Sequence, residues 1–472
     1  MNDALIGHKE YQASSPHTPT IFLSTLAVIL LTFGGTLTIA LPWNILDFIN
    51  GRDFQDLSRL QRFVWGLFAV FNLLMLLRWC TVQFFALCAQ LSESSTPSYD
   101  SSAWPGVSIL VPAYQEAENI EATLRSLVEV EYPHYEIIIV DDGSSDETFE
   151  KAHKFSEKSG SGLVSVLRKV NGGKWSALNL AFQHAKYEFI LCVDADSLLS
   201  RNALQLLVRH MSDPRIAAVC GQVTVRNRVN ILTRLQALEY VISNGGLRTA
   251  QSHLGSVMVV PGPIGLYRRS NLEQISKSAG KIAEDVKPGH VAGPLSDETF
   301  AEDFQLSLTT LALHGRIVYE PRAIAYTRAP ENILSLINQR YRWLRGSMQV
   351  VNIYKTRLRA LCNATNRTKL DIILNWSYFF DIYALPLINF AALFACLFMI
   401  ANEDSMGSHA FAWFLAMSLL NVMTATFYVL SQGDEFPLLA VVLALDLYQC
   451  LLINSAWVAA VADQLRKSDM KW

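Results

Sequence analysis

From Tyr11 to Leu46 the chain carries no Lys, Arg, Asp or Glu. A stretch of that kind cannot be the surface of a water-facing domain. Its core, "TIFLSTLAVILLTFGGTLTIALP", would make a helix of roughly 35 Å, enough to cross a bilayer. It is long for the apolar part of a signal peptide and no small-residue cleavage site follows, so it reads as an uncleaved span. A second apolar run, residues 63–77, continues past Arg78 into "WCTVQFFALCAQ". Arg78 is expected to snorkel to the membrane interface. Charge vanishes again in residues 382–402 and 406–433, and residues 436–462 hold only Asp446. That pattern predicts about three further spans. The shorter amphipathic stretch "LDIILNWSYFF", residues 370–380, is expected to lie in the interface.

The chain therefore divides into an N-terminal membrane region (1–103), a soluble domain (104–355) and a C-terminal region (356–472) with an interfacial helix and about three spans. Lys355, Arg357, Arg359, Arg367 and Lys369 crowd the entry to the third span. By the positive-inside rule the soluble domain faces the cytoplasm. The charged tail "DQLRKSDMKW" conflicts with an odd number of spans. The formal net charge of −3 gives no basic field for nucleic acid. Seven cysteines show no CxxC pair, which points to reduced thiols rather than disulfides or zinc. Asp381 and Asp446, in or beside apolar runs, read either as pathway groups or as interfacial ones. Asn363 and Asn366 fit a glycosylation pattern that a cytoplasmic position would leave unmodified.

In the soluble domain, "VSILVPAY" is an apolar, β-branched run, and "EAENIEATLRSLVEV" follows with helical spacing. "YEIIIVDDGSSDET" stops at two aspartates and a Gly-Ser turn, where Asp146 can cap the next helix. "LVSVLRK" leads into "NGGKWSALNLAF", and "EFILCVDADS" again ends in carboxylates. Strands alternating with helices predict an α/β domain with a mostly parallel sheet and helices on both faces. Ligands of such sheets bind beyond the carboxyl ends of the strands. Asp141, Asp142, Asp194, Asp196 and Lys174 collect at that edge. Read as extended chain, Asp194 and Asp196 place both carboxylates on one side, a donor pair suited to Mg²⁺ or Mn²⁺ carrying phosphate oxygens. Taken alone, each short motif is equally a solvated strand end or an Asx turn. Lys174 is no Walker A lysine, because Trp175 stands where Ser or Thr belongs. Glu302 and Asp303 open a helix as dipole partners, or with Asp303 aimed into the site as a base. "INQRYRWLRG", residues 337–346, interleaves arginines with aromatics just ahead of the most apolar third.

In order and approximate spacing, "VPAYQEAENI", "IVDDGSSD", "NGGKWSALN", "CVDADS", "AEDFQLSL" and "QRYRW" resemble the membrane-embedded, processive family 2 glycosyltransferases, among them cellulose, chitin, hyaluronan and poly-N-acetylglucosamine synthases. The resemblance covers residues 104–355 in detail and the flanking spans in layout. "GQVTVRNR" and "GPIGLYRRS" look most like the poly-N-acetylglucosamine and nodulation-type chitin synthase branch. The resemblance implies a GT-A, Rossmann-like fold and a donor site made by Pro112, Tyr114, Glu116, Asp142, Lys174 and Asp194. It implies a metal on Asp196 and Asp194, catalytic carboxylates at Glu302 and Asp303 with Asp303 as base, and an acceptor and diphosphate element at Gln339, Arg342 and Trp343. Arg340 and Arg345 are left as membrane-surface charges. The family usually has Thr where this chain has Ala301, which implies a tuned site, and the segment 277–300 is long and irregular.

The implied partners are a UDP-sugar, UDP-N-acetylglucosamine ahead of UDP-glucose, a polysaccharide or glycolipid acceptor and the lipid bilayer, with room for small membrane or envelope subunits and no nucleic acid. The chemistry fits without the name, since inverting transfer needs one base and charge stabilisation for the leaving group. A hydrolase would need two carboxyl groups flanking the bond. A single-transfer glycolipid synthase is the alternative. A transporter without chemistry would show an internal repeat, and the two apolar blocks are unequal.

Overall fold

The structure, a computed structural model, describes residues 26–37, 58–91, 104–159, 163–278, 289–353, 369–401 and 405–466, and positions 40, 50, 55 and 468. Helices α1 (Leu26–Leu37) and α2 (Arg59–Leu91) precede the central domain. There the order is β1 (Val107–Ala113), α3 (Ile120–Val128), β2 (Tyr135–Asp141), α4 (Thr148–Ser159), β3 (Val164–Arg168), α5 (Lys174–His184), β4 (Phe189–Cys192), β5 (Leu198–Leu199) and α6 (Ala203–His210). β6 (Ile216–Val225) follows, then α7 (Ile231–Ser243), which runs through a π turn into α8 (Thr249–His253). β7 (Gly265–Arg268), α9 (Arg269–Ser278), α10 (Glu302–Ala312), β8 (Arg316–Thr327) and α11 (Ile333–Ile353) complete the domain. The C-terminal region holds α12 (Lys369–Ala401), α13 (Ser405–Ser431) and a last helical stretch, Phe436–Arg466, that is irregular over its first half.

One eight-stranded sheet runs β3-β2-β1-β4-β7-β6-β8-β5. β1 is an interior strand between β2 and β4, and "VSILVPA" is buried at every position, as a strand covered on both faces must be. Alternation then divides the core. Ile109 and Val111 meet Leu124, Leu127 and Leu204 on one face. Leu110, with Ile138 and Val140 of β2, meets Ala177, Leu178 and Leu308 on the other. The β1–β2, β2–β3, β1–β4 and β6–β8 pairs are parallel, and β7 runs antiparallel to both neighbours. The expected mostly parallel sheet with helices on both faces is therefore present. Register places the ends of β1, β2 and β4 at one edge: Ala113 lies beside Asp141 and Leu110 beside Cys192.

Three described helices are long and apolar enough to cross a membrane: Arg59–Gln90, Ala412–Ser431 and Phe436–Arg466. Leu26–Leu37 and Phe379–Ala391 are shorter apolar pieces. Residues 370–380 are not a separate interfacial helix. They are the first turns of α12, which continues through Pro386, because nothing between Phe380 and Ile382 can break it. Arg78 pairs with Asp381 of α12. Asp446 accepts hydrogen bonds from the Asn421 amide at 3.0 and 3.3 Å. Lys355, Arg357, Arg359, Arg367, the Asn363 and Asn366 patterns and the end of the charged tail lie outside the described residues, as do residues 279–288 of the irregular segment.

The central domain is seated on the helical part. α7 and its π turn share one apolar cluster with α13 and the last stretch, through Leu235, Leu238, Tyr428, Leu438 and Tyr448. The backbone approaches closely here: a Cβ at Gly245 would overlap the Tyr428 ring. Arg340 and Arg345 prove to be part of this seat rather than surface charges. Arg340 is 5% exposed and pairs with Glu239 at 2.7 Å, while the Tyr448 hydroxyl donates to the same carboxylate at 2.9 Å. Arg345 donates to the Tyr341 hydroxyl at 2.6 Å and to the Ser468 carbonyl. Both lie on the buried side of α11 with Leu336 and Met348, which a basic-aromatic composition conceals. Removing one partner of a buried pair strands the other. Arg340→Met is expected to cost about 3–5 kcal/mol, and adding Glu239→Leu to recover much of it, read as thermal unfolding of the detergent-solubilised protein.

Candidate active site

The site begins at the end of β2. Asp142 turns its carboxylate onto the Asn171–Gly173 turn, accepting from the Gly172 and Gly173 amides at 3.0 and 2.7 Å. Lys169 adds a 2.6 Å ion pair. Gly173 has φ 91°, a conformation that glycine adopts without strain. The turn so held launches α5, and Lys174 is its first residue. At the end of β1, Pro112 lines the cleft and Tyr114 is exposed. The Glu116 amide donates to Thr148 Oγ1 at 2.8 Å, and its carboxylate accepts from Asn119 at 2.8 Å. Asp146 ties the same loop to α4, accepting from the Ala117 and Thr148 amides, both at 3.1 Å.

Asp194 and Asp196 do not lie in extended chain. β4 ends at Cys192, and residues 195–196 form a turn closed by the Ser197 amide on the Asp194 carbonyl at 3.1 Å. The strand-alternation argument fails here, yet the turn also brings the two carboxylates together. Burial pushes Asp196 above the usual carboxylate range and the Asp194 charge adds to it. Glu116 is raised as well, by burial first and then by Asp196 and Asp194. Three mutually repelling carboxylates at one edge suit a divalent cation. Among the described residues no group of three or more His, Cys, Asp or Glu closes a metal site. Asp194 and Asp196 supply two neighbouring carboxylates at this edge and no closed ligand set.

Deeper in, Lys174 Nζ bridges Asp194 at 2.7 Å and Glu302 at 3.1 Å. Burial opposes its charge, but Asp194 and Glu302 outweigh burial and hold the ammonium well above its ordinary range. Asp303, the next residue of α10, is pushed up to about 7 by burial and by Glu302, with Lys174 opposing. Its side chain accepts from the Phe304 amide at 2.7 Å. Pro112, Lys174, Asp194, Gly262, Glu302 and Asp303 line one cleft of about 330 Å³. Gly262 lies against this pair: an added Cβ would lie 2.7 Å from Lys174 Nζ and 3.0 Å from the Asp194 carboxylate, so a larger residue would shift those two side chains.

Gln339, Arg342, Trp343 and Gly346 fall at i, i+3, i+4 and i+7 along α11, one stripe of the helix. At Gly346 that stripe touches the start of α10, where an added Cβ would lie 2.9 Å from both Cβ and N of Ala301. Ala301 occupies the N-cap position without a side-chain cap. Arg342 and Trp343 are exposed, and Gln339 Oε1 is enclosed without a partner among the described residues. Arg340 lies 4.4 Å over the Trp343 ring and fixes its plane.

The mixed, mostly parallel sheet with flanking helices, whose carboxylate-lined edge holds a lysine and a half-buried helix-start aspartate, is of the GT-A class. Residues 108–276 match the glycosyl transferase family 2 model, and the central domain is a family 2 glycosyltransferase domain. The chain is 32% identical over 247 residues to a poly-beta-1,6-N-acetyl-D-glucosamine synthase of Staphylococcus epidermidis, covering 52% of this chain and 55% of that protein. It is 30% identical over 262 residues to the synthase of the same name from Staphylococcus aureus (strain COL), covering 55% and 59%. The matched stretch thus spans little more than half the length of either relative. In fold, it is similar to the mannosyltransferase PcManGT of Pyrobaculum calidifontis, solved with GDP-Man and Mn²⁺, at a TM-score of 0.59 and 18% identity over 86% of this chain and all of that one.

Sequence reasoning singled out no role for Gly262, Tyr267 or Cys192, which also line the cleft. Their signal was the "GPIGLYRRS" run and the strand before Asp194. The Ala301–Gly346 contact was invisible, because two small residues 45 positions apart carry no pattern. Gly346→Val is expected to displace the start of α10 and lower turnover by more than tenfold, and to weaken UDP binding as well, since Glu302 is tied through Lys174 to Asp194. Turnover and calorimetric UDP titrations of the variant check this.

Proposed function

We propose that the chain transfers N-acetylglucosamine from UDP-N-acetylglucosamine, with inversion, to a growing β-linked polysaccharide, and passes the product through its own spans from a cytoplasmic catalytic domain. The reading is carried by the Lys174 bridge between Asp194 and Glu302, with Asp303 beside it in the same cleft. The names of the staphylococcal relatives support the sugar.

Asp303 removes the proton from the acceptor hydroxyl. The freed oxygen attacks the anomeric carbon while the bond from that carbon to the diphosphate breaks, releasing UDP. A carboxylate whose pKa lies near 7 is matched to this work, because it is ionised at neutral pH yet basic enough to hold the proton. Lys174 keeps Glu302 and Asp194 from repelling it further. Tyr114, Glu116 and Asp142 shape the nucleoside end. Gln339, Arg342 and Trp343 meet the acceptor sugar and the departing diphosphate. Asp194 and Asp196 would hold Mg²⁺ or Mn²⁺, which supplies charge neutralisation to the diphosphate when bound.

Detergent-purified protein given labelled nucleotide sugars and Mg²⁺ should build polymer of increasing length from UDP-N-acetylglucosamine. A lipid-extractable, single-addition product would favour glycolipid synthesis instead. Asp303→Asn should lower kcat by about 10²–10⁴-fold with little change in donor KM. The sign of the pH dependence follows from the raised carboxyl: below its pKa Asp303 is protonated and cannot accept, so kcat should climb with pH through the region of about 7. Lys174→Gln removes a lowering influence and should move that limb to higher pH; a limb that moved down would contradict the assignment.

A further inference from the structure

The run "VRNR", residues 225–228, ends β6 at the same edge as the site, and its residues do three different jobs. Val225 pairs with Thr327 of the parallel strand β8, and the Arg226 amide donates to the Thr327 carbonyl at 3.0 Å. Asn227 clips the link between β8 and α11. Its amide donates to the Ala329 carbonyl at 2.8 Å and to Glu331 at 3.0 Å, and its oxygen accepts from the Ala329 amide at 2.7 Å. Arg228 is fully engaged, forking onto Asp434 at 2.5 and 3.0 Å and donating to the Val225 carbonyl at 2.9 Å. Among the described residues Arg226 has no such carboxylate partner. Its Nη2 reaches only a neutral oxygen, Asn119 Oδ1, at 3.4 Å, and its Nε is enclosed without a partner among the described residues.

The clip on Ala329 holds Arg328 near Arg226, so two guanidinium groups face the same edge. Arg328 has a partner in Glu331, at a loose 3.5 Å. Burial and the Arg328 charge both pull Arg226 below the ordinary guanidinium range, and Asp196 opposes them. A half-buried cation with a weak neutral partner and a like charge beside it is costly unless an anion joins it. Its place, next to Asp196 at the carboxyl end of two parallel strands, is where this sheet class takes its ligand. A guanidinium fork with free N–H groups matches phosphate oxygens.

We propose that Arg226 binds a phosphate group of the nucleoside diphosphate, from the side of β6 and β8 and backed by Arg328. The inference rests on the nucleotide-sugar reading of the site. It adds a contact that Asp194, Asp196 and the α11 stripe do not supply.

Calorimetric titration of the detergent-solubilised full chain with UDP and with uridine, both in Mg²⁺, separates the possibilities. Arg226→Gln should weaken UDP by roughly 10- to 100-fold, the range of one charge-assisted hydrogen bond, and leave uridine unchanged. Arg226→Lys should fall between, keeping the charge without the fork. Arg201→Gln, which removes an exposed charge paired with Glu129, should change neither ligand. UDP binding equal in Arg226→Gln and the unaltered protein overturns the proposal. So does an equal loss for UDP and uridine, which would make Arg226 a support for Asn119 and Glu116 alone. Failure of the unaltered protein to bind UDP would instead sink the nucleotide-sugar reading itself.

Discussion

The cleft depends on one cation. Glu116, Asp194, Asp196, Glu302 and Asp303 come from three separate pieces of chain, and charge repulsion alone would drive them apart. Lys174 binds the β4–β5 turn to the start of α10 through Asp194 and Glu302. It is the one cation lining the cleft among the described residues. Its own position is set two residues earlier, where Asp142 grips the Gly172 and Gly173 amides. A carboxylate at the end of β2 thus places the ammonium that holds the ends of β4 and α10 together. The remaining carboxylates, Asp196 and Glu116, repel each other without a cation of the cleft lining between them, and the proposed divalent cation and diphosphate would balance them.

Small residues set the distances over which this electrostatics acts. Gly262 lets the backbone lie against the Lys174–Asp194 pair, and Gly346 lets α11 lie against Ala301. The described part of the irregular segment uses the same device. A Cβ at Gly172 would overlap the Gly289 carbonyl, while Ser176 and Asn179 of α5 donate to the Gly289, Val291 and Leu295 carbonyls. From residue 289 to 295 this part is laced along α5 through its backbone carbonyls, which leave no pattern in the sequence.

That contrast explains what was legible. β1 and β2 announce themselves because a strand buried on both faces must be apolar throughout, and the carboxylates beyond them mark the ligand edge. Asp194 and Asp196 flank a turn rather than lying in the extended chain that strand alternation assumed, because β4 already ends at Cys192. Residues 370–380 hid their continuity with α12 because amphipathicity reports surroundings and not helix ends. Arg340 and Arg345 were misread because composition cannot tell an arginine at a lipid surface from one buried against Glu239 or Tyr341. Arg226 and Arg228 are identical in sequence terms, yet one is locked to Asp434 and the other faces the site. Only the fold brings Asp434, 206 residues away, onto one and not the other.

α11 joins these levels. Neighbouring residues on a helix point about 100° apart, so a run of ten can serve two faces at once. Gln339, Arg342, Trp343 and Gly346 form one stripe, which meets α10 at Ala301. Arg340 and Arg345, about 140° apart around the helix, lie off that stripe on either flank of its buried side, where they meet Glu239, Tyr448 and Ser468. Arg340 also touches the stripe, since its guanidinium pairs with Glu239 while covering the Trp343 ring. A shift of the last helical stretch that moved Tyr448 would disturb Arg340 and, through it, the tilt of Trp343. The interleaving of arginines with aromatics just before the apolar third is the pattern of a helix wedged between a catalytic edge and a membrane-spanning segment, with each face carrying its own contacts.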